Sequence, residues 1–502
     1  MRADHMGCAG NPVIQTPRLD VLAAEGVNLP RAYVNCPLCM PSRSTWFTGL
    51  TPRGHRVRSN GIPLDPTFPT VPAALAEAGY RTASIGKIHL TTFGRHPDVP
   101  LEDMPPTRFP ELMEHWTVGR LRQTPTPYYG LEHVEITLGH GAGVHGDYAL
   151  WLQCEHPDAW RRLRSESVRP SPLGAEGCGT YVLEDRLHHT AYVADRTIAY
   201  LREQDGDGPF YLMCSFPDPH HPYYVPEPWD RMVSPDDVVP PVGREDELDE
   251  LAPFFREIYE RPILLSGRRE PTRMSDAHRR EILAHTYGMV SQIDHHVGRV
   301  LDALDELGLA EDTVVVFTSD HGDLMGDHGL LNKGPFHFEG LVRVPLIWRW
   351  PGRFGPTTTP ALASLLDLPP TILDLADVPI PEGPTSSEAP AQPPAWPGRS
   401  LVPLLTGQAD AVQESVVIEN DEDYLGLRLR TLVTPTHKIT TYTGHRGPEP
   451  YGELFDLAND PDELHNLWDR PEHASLKRAL IEQLHYRLAE TDIALPRRIS
   501  HA

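Results

Sequence analysis

Three apolar runs in this chain each lead directly into a short string of charged or imidazole side chains, and that recurrence constrains the fold more than any other feature. Tyr80 to Ile85 runs into Gly86-Lys87-Ile88-His89, Phe210 to Phe216 into Pro219-His220-His221-Pro222, and Thr313 to Thr318 into Ser319-Asp320-His321-Gly322-Asp323. Short runs of this composition, bounded by Gly, Pro or Asp, read as strands. Between the second and third, Asp276 to Leu307 carries Ile282, Tyr287, Val290, Ile293, Val297, Val300, Leu301 and Leu304 at near-helical spacing and stops at Gly308. Pro345 to Trp350 is a further strand candidate. Strands alternating with helices imply an α/β layer fold with a largely parallel sheet. In open sheets of that kind ligands gather at the strand ends, where the polar strings fall.

The chain has 502 residues and a formal net charge of -25. That length supports a large core and more than one domain. An acidic surface repels nucleic acid and anionic membranes, so neither is expected as a partner, and a substrate anion has to meet a local basic site. No apolar stretch approaches the roughly eighteen residues of a membrane span. The six cysteines show no regular spacing and fit a reducing compartment better than a disulfide scaffold. A cytoplasmic location is the expectation, with periplasmic or secreted placement left open.

Val378 to Pro397 is dense in Pro, Ser, Ala and Glu and reads as a linker or disordered insert. Beyond it, Ser415 to Glu419, Leu427 to Val433, Lys438 to Tyr442 and Glu453 to Leu457 predict a small antiparallel sheet. The expected organisation is a catalytic α/β domain over 1–377, the insert over 378–397, and a C-terminal subdomain over 398–502. The region from Arg95 to Thr180 has no clear period and is expected to be an insertion over the site.

The chemistry-bearing residues begin with Cys36-Pro37-Leu38-Cys39-Met40-Pro41-Ser42-Arg43, just ahead of a helix-like run. Cys36 and Cys39 form a C-x-x-C pair that could be redox-active or half of a zinc site, but Cys8, Cys154, Cys178 and Cys214 are scattered singly and offer no second pair. Asp320 with His321 could supply part of the shell of a hard divalent cation, or equally a plain turn. Lys87, His89, His220 and Lys333 together make a basic set able to converge on an anion and to neutralise or protonate a departing oxygen.

The order C-x-P-S-R, G-K-x-H, P-H-x-P, S-D-H-G-D with the later Lys333-Gly334, then Glu453-Leu-Phe-Asp-Leu457 and Asp460-Pro461 to Asn466-Leu467, resembles the formylglycine-dependent type I sulfatases of the alkaline phosphatase superfamily, near their arylsulfatase and phosphonate monoester hydrolase-like members. The resemblance implies an alkaline phosphatase-like central mixed sheet flanked by helices. It implies that Cys39 is oxidised to formylglycine by a formylglycine-generating enzyme and that Arg43 holds the product. Lys87, His89, His220 and Lys333 would contact the sulfate, with Asn60 near the substrate. The metal, Ca²⁺ with Mg²⁺ or Mn²⁺ as alternatives, would be bound by the formylglycine at Cys39, by Asp320 and by His321.

The expected reaction is hydrolysis of a small-molecule sulfate ester. The alternative is a phosphonate monoester or phosphodiester, although uncharged residues are expected at positions 87 and 89 in those relatives. A third reading is a catalytically inactive binding protein. In the family an apolar strand ending in acidic ligands precedes a segment like Arg2-Ala3-Asp4-His5-Met6-Gly7. That strand and its carboxylate are absent from this sequence, most simply because they lie upstream of Met1, and Asp4 is not expected to replace the carboxylate. The organic part of the substrate and the oligomeric state are not legible.

Overall fold

The computed structural model describes residues 1–204, 208–244, 246–260, 264–265, 268–269, 274–381, 396–423, 426–444 and 451–491. Most of the segment expected to be an insert, 382–395, lies outside them. Two four-stranded sheets form the centre. The strands used here are β1 (Val27–Asn28), β2 (Arg81–Gly86), β3 (His133–Leu138), β4 (His145–Gly146), β5 (Phe210–Ser215), β6 (Val315–Thr318), β7 (Leu346–Arg349) and β8 (Thr357–Thr358). One sheet has the order β4-β3-β2-β5, parallel except at β4; the other has the order β6-β7-β1-β8, antiparallel except between β1 and β8. The sheet system is therefore mixed, and the expected strand candidates occupy it within a residue or two of their expected ends.

One expectation is corrected. Part of the region from Arg95 to Thr180 is not an insertion but central sheet, because β3 pairs in parallel with β2. Its inward residues Val134, Ile136 and Leu138 are buried, and they alternate with His133, Glu135 and Thr137. That is the period-2 signature of a strand, and polar neighbours diluted it. Glu135 itself is held by a bidentate ion pair with Arg196.

Among the helices, α1 (Cys39–Thr48), α2 (His189–Arg202) and α3 (Asp276–Glu306) matter most for the site. The Ser275 hydroxyl caps α3 by accepting from His278 N–H, and α3 packs along α2. The outer strands β5 and β6 are not paired with each other. Their open edges share a cavity of about 800 Å³ that Met1, Leu301, Trp348 and Ile372 also line. This is why β5 and β6 are only half-buried along most of their length although they lie at the centre of the molecule.

The C-terminal strands β9 (Val416–Glu422), β10 (Leu427–Val433), β11 (His437–Thr443) and β12 (Tyr451–Asp456) make the expected antiparallel meander. A buried lysine ties it to the rest of the fold: Lys438 on β11 bonds Glu339 at 3.1 Å and also pairs with Glu463. No helix among the described residues is long and apolar enough to cross a membrane.

Candidate functional site

Cys39 is the first residue of α1, with Pro41 tolerated in the opening turn and Gly49 closing the helix at φ 69°. A group at that position faces the backbone N–H end of the helix, the end that favours negative charge. The Cys39 Sγ is buried and lies 3.2 Å from Lys333 Nζ, 3.5 Å from Lys87 Nζ and 3.2 Å from His321 Nε2. Burial alone would raise the thiol pKa, but Lys333, Lys87 and His321 outweigh it and hold the group well below the ordinary range. Cys36 is the opposite case, since burial pushes its thiol up. All six cysteines are free, and Cys36 joins no cluster of metal-ligating side chains among the described residues. The two thiols of the C-x-x-C string therefore stand in opposite electrostatic surroundings.

Arg43 lies one turn further along α1, on the same face as Cys39. Its guanidinium donates to Asp320 Oδ2 at 2.8 Å, to the Lys87 carbonyl at 2.8 Å and to Ser215 Oγ at 3.1 Å. One side chain thus links the ends of β2, β5 and β6. For Asp320, burial is the largest influence and acts upward, yet Arg43 and His321 outweigh it and keep the carboxyl ionised. His321 Nδ1–H donates to the Gly322 carbonyl at 2.6 Å, so Nε2 is the nitrogen that faces Cys39.

Lys87 follows β2 and is almost fully buried; burial lowers its pKa. His89 adopts φ 63° and stacks on Phe93 at 3.8 Å. Burial pushes its imidazole down to about 4, so it is neutral at physiological pH, and its side chain contacts Cys39. Its unusual backbone is held by Glu111, which accepts from the N–H groups of His89, Leu90 and Thr91 at 2.5, 2.8 and 2.9 Å, and from Tyr128 OH at 2.7 Å. His220 Nδ1–H donates to the His221 carbonyl at 2.5 Å, and its Nε2 accepts from Lys333 at 2.8 Å.

Every residue of the expected basic set therefore reaches one pocket, together with Arg43, Asp320 and His321. Asn60 is at the rim, where its Oδ1 accepts from Met40 N–H at 2.9 Å and caps α1. Asp4 is elsewhere, paired with Arg2 at 2.7 Å. Sequence reasoning missed His140, Glu111 and Ser215. His140 stands in a Gly139-His140-Gly141 string after β3 that could have marked it; Glu111 and Ser215 carry no local signal.

The donor set fits a hard divalent cation. Ligand atoms of Cys39, Asp320 and His321 lie within 4.8 Å of one another. They offer a carboxylate oxygen, an imidazole nitrogen and the Cys39 sulfur. Asp323, a half-buried carboxylate whose pKa desolvation raises, stands next to this group in the chain.

Comparison with known proteins gives the same reading along the whole chain. The Sulfatase family model matches residues 1–378, and a model described as N-sulphoglucosamine sulphohydrolase, C-terminal, matches residues 326–490. An arylsulfatase of Clostridium perfringens is 29% identical over 509 residues, covering 96% of this chain and 92% of its own. A choline-sulfatase of Rhizobium meliloti is 28% identical, covering 91% of this chain and 78% of its own. In the crystal structure of a phosphonate monoester hydrolase of Agrobacterium radiobacter, the fold agrees with a TM-score of 0.79 at 26% identity, over 98% of this chain and 94% of that one. Because the family match runs from Met1 past Lys333 and so takes in every residue that meets at Cys39, the chain belongs to the sulfatase family.

Proposed function

We propose that this protein hydrolyses sulfate monoesters at position 39, with Cys39 converted to formylglycine. The observation that carries the reading is the convergence of Lys333 and Lys87 on one buried atom, at 3.2 and 3.5 Å. In the structure Cys39 Sγ stands where the oxygens of the oxidised residue would be. When formed, the hydrated aldehyde supplies a hydroxyl nucleophile and releases sulfate by restoring its carbonyl, which a serine cannot do. Asp320, His321 and the oxidised residue would hold a divalent metal, Ca²⁺ by preference for oxygen donors, whose charge favours the ionised hydroxyl and the sulfate oxygens.

The chain's own groups do the rest. Lys87 and Lys333 bind the sulfate oxygens and neutralise the charge that builds on them. Arg43 fixes Asp320 and Lys87 relative to position 39. His89, neutral and next to position 39, takes the hydroxyl proton. Lys333, held by His220 Nε2, offers a proton from Nζ to the departing oxygen.

A second reading, phosphonate monoester hydrolysis, draws support from the fold agreement with the Agrobacterium radiobacter enzyme. The Lys87 and His89 pair, one ammonium and one neutral imidazole, favours sulfate. The test is a panel of aryl, sugar and choline sulfates and phosphonate esters, assayed on protein co-expressed with a formylglycine-generating enzyme, with mass spectrometry across position 39. The expected result is an aldehyde at 39, sulfate-ester turnover above phosphonate turnover, and loss of both in Cys39→Ala. Unmodified thiol in every sample together with no turnover would overturn the reading in favour of an inactive binding protein.

A further inference from the structure

We propose that His140 is the positioning residue for Lys87: its Nε2 holds the Lys87 ammonium against position 39, as His220 Nε2 holds that of Lys333. The inference rests on the sulfatase reading above and adds a residue that the sequence motifs do not contain. Lys87 Nζ lies 3.2 Å from His140 Nε2, closer than the 3.5 Å to Cys39 Sγ and the 4.0 Å to Asp320 Oδ2. An ammonium group can only donate, so His140 Nε2 accepts and its proton is on Nδ1. The same logic applies to His220, whose Nδ1–H is committed to a carbonyl and whose Nε2 faces Lys333. The two imidazoles are stacked, with centroids 3.6 Å apart and planes 12° from parallel. Two lysines that flank one atom are thus each backed by one member of a stacked neutral pair. Burial holds both rings well below the usual histidine range, in keeping with the acceptor role.

The backbone around His140 is shaped for this contact. Gly139 and Gly141 have φ of 77° and 54°, the left-handed region where a side chain is strained. A Cβ on Gly141 would meet Pro222 Cγ at 2.6 Å and the Tyr224 ring at 3.2 Å. Glycine at 141 therefore lets the loop after β3 lie flat against the His220 loop, which brings the two rings together. Without the His140 acceptor, the Lys87 ammonium keeps only Cys39 and the more distant Asp320, and after oxidation of Cys39 it has no thiolate to aim at. Its direction would then be set by solvent and substrate instead of by the protein.

The test is a double-mutant cycle of His140→Ala and Lys87→Ala in the full chain, with His140→Gln as the conservative variant. Two readouts are used: kcat and KM on an aryl sulfate, and the Kd of inorganic sulfate by calorimetry. The expected result is a loss in kcat/KM of about 10- to 100-fold in His140→Ala, the range of one hydrogen bond to a charged group. Sulfate binding weakens in parallel, and His140→Gln recovers most of both losses, because its amide oxygen can accept from Nζ. In the Lys87→Ala background, His140→Ala should add less than about twofold. Equal losses in the two backgrounds, or no recovery in His140→Gln, would overturn the proposal. If the parent hydrolyses sulfate esters and binds sulfate but the cycle is additive, this inference alone fails. A parent that does neither removes the functional reading as well.

Discussion

Removing the Arg43 guanidinium tests how the site is built. Arg43→Ala deletes three hydrogen bonds, to Asp320, the Lys87 carbonyl and Ser215. It leaves the Asp320 carboxylate buried with Lys87 at 4.0 Å in place of a direct ion pair. Breaking a buried pair from one side costs about 3–5 kcal/mol, because the other charge is left uncompensated. At about 2.1 cal/mol/K of unfolding entropy per residue, that is roughly 3–5 °C in Tm for a chain of 502 residues. Arg43→Lys keeps a charge but cannot bridge three acceptors, so it should fall between the two. The sign with pH follows from Asp320. Its folded pKa is held below the unfolded value, so its stabilisation is present above the ordinary carboxylate range and is lost as pH falls through the folded pKa. In Arg43→Ala that folded pKa moves back up, and acid destabilisation begins at higher pH. Calorimetric melts of parent and variant from neutral pH down to about pH 2 measure both effects. If Arg43→Ala melts within about 1 °C of the parent and the acid limbs superimpose, Arg43 does not hold the strand ends together.

Three further outcomes are expected. Lys333→Ala should lower kcat by about 10²- to 10³-fold, the loss seen when one preorganised donor to a developing negative charge is removed, and steady-state kinetics checks it. Glu111→Gln replaces one of the oxygens that hold His89, Leu90 and Thr91, and should destabilise by about 1–3 kcal/mol in urea titrations while kcat falls more than KM rises. Prolonged chelation should abolish turnover, and Ca²⁺ should restore more of it than Mg²⁺, as an activity titration with each ion would show.

What was legible in the sequence follows from which interactions are local. The strands at Arg81–Gly86, Phe210–Ser215 and Val315–Thr318 announce themselves because a buried strand is a run of apolar residues and its end is marked by Gly or a polar string. The long helix Asp276–Glu306 is legible for the same reason, through its period and its stop at Gly308. His133–Leu138 was missed because alternating His, Glu and Thr conceal a strand whose polar face is satisfied by Arg196, a partner remote in sequence. Within the site, Cys39, Arg43, Lys87, His89, His220, Asp320, His321 and Lys333 stand in compact motifs. Glu111 and Ser215 do not, since each acts by meeting a backbone or a guanidinium brought to it by folding. Asn60 shows the limit of motif transfer: it was expected near the substrate, and its oxygen is engaged by the Met40 N–H at the start of the helix.

If Cys39 is converted as proposed, the charge balance at position 39 gives oxidation a second effect besides providing an aldehyde. In the unmodified residue Lys333, Lys87 and His321 outweigh burial and favour the ionised sulfur, which gives the two ammonium groups an anion of their own. An aldehyde or its hydrate is neutral. Conversion therefore takes a negative charge from between two buried lysines, while Arg43 remains engaged with Asp320. The pocket is left with cationic groups whose neutralisation must come from the ligand, and a tetrahedral anion meets that need. On a protein whose overall charge is -25, this local reversal is what lets an anionic ester enter. The argument predicts that Cys39→Ala, which is neutral at 39 like the oxidised residue, binds inorganic sulfate more tightly than the unmodified cysteine form, by about tenfold or more for the removal of one like charge at contact distance. Calorimetric Kd values at neutral pH measure the difference, and acidification that protonates the thiolate should shrink it. Equal affinity of the two forms would show that the thiolate does not occupy the lysines.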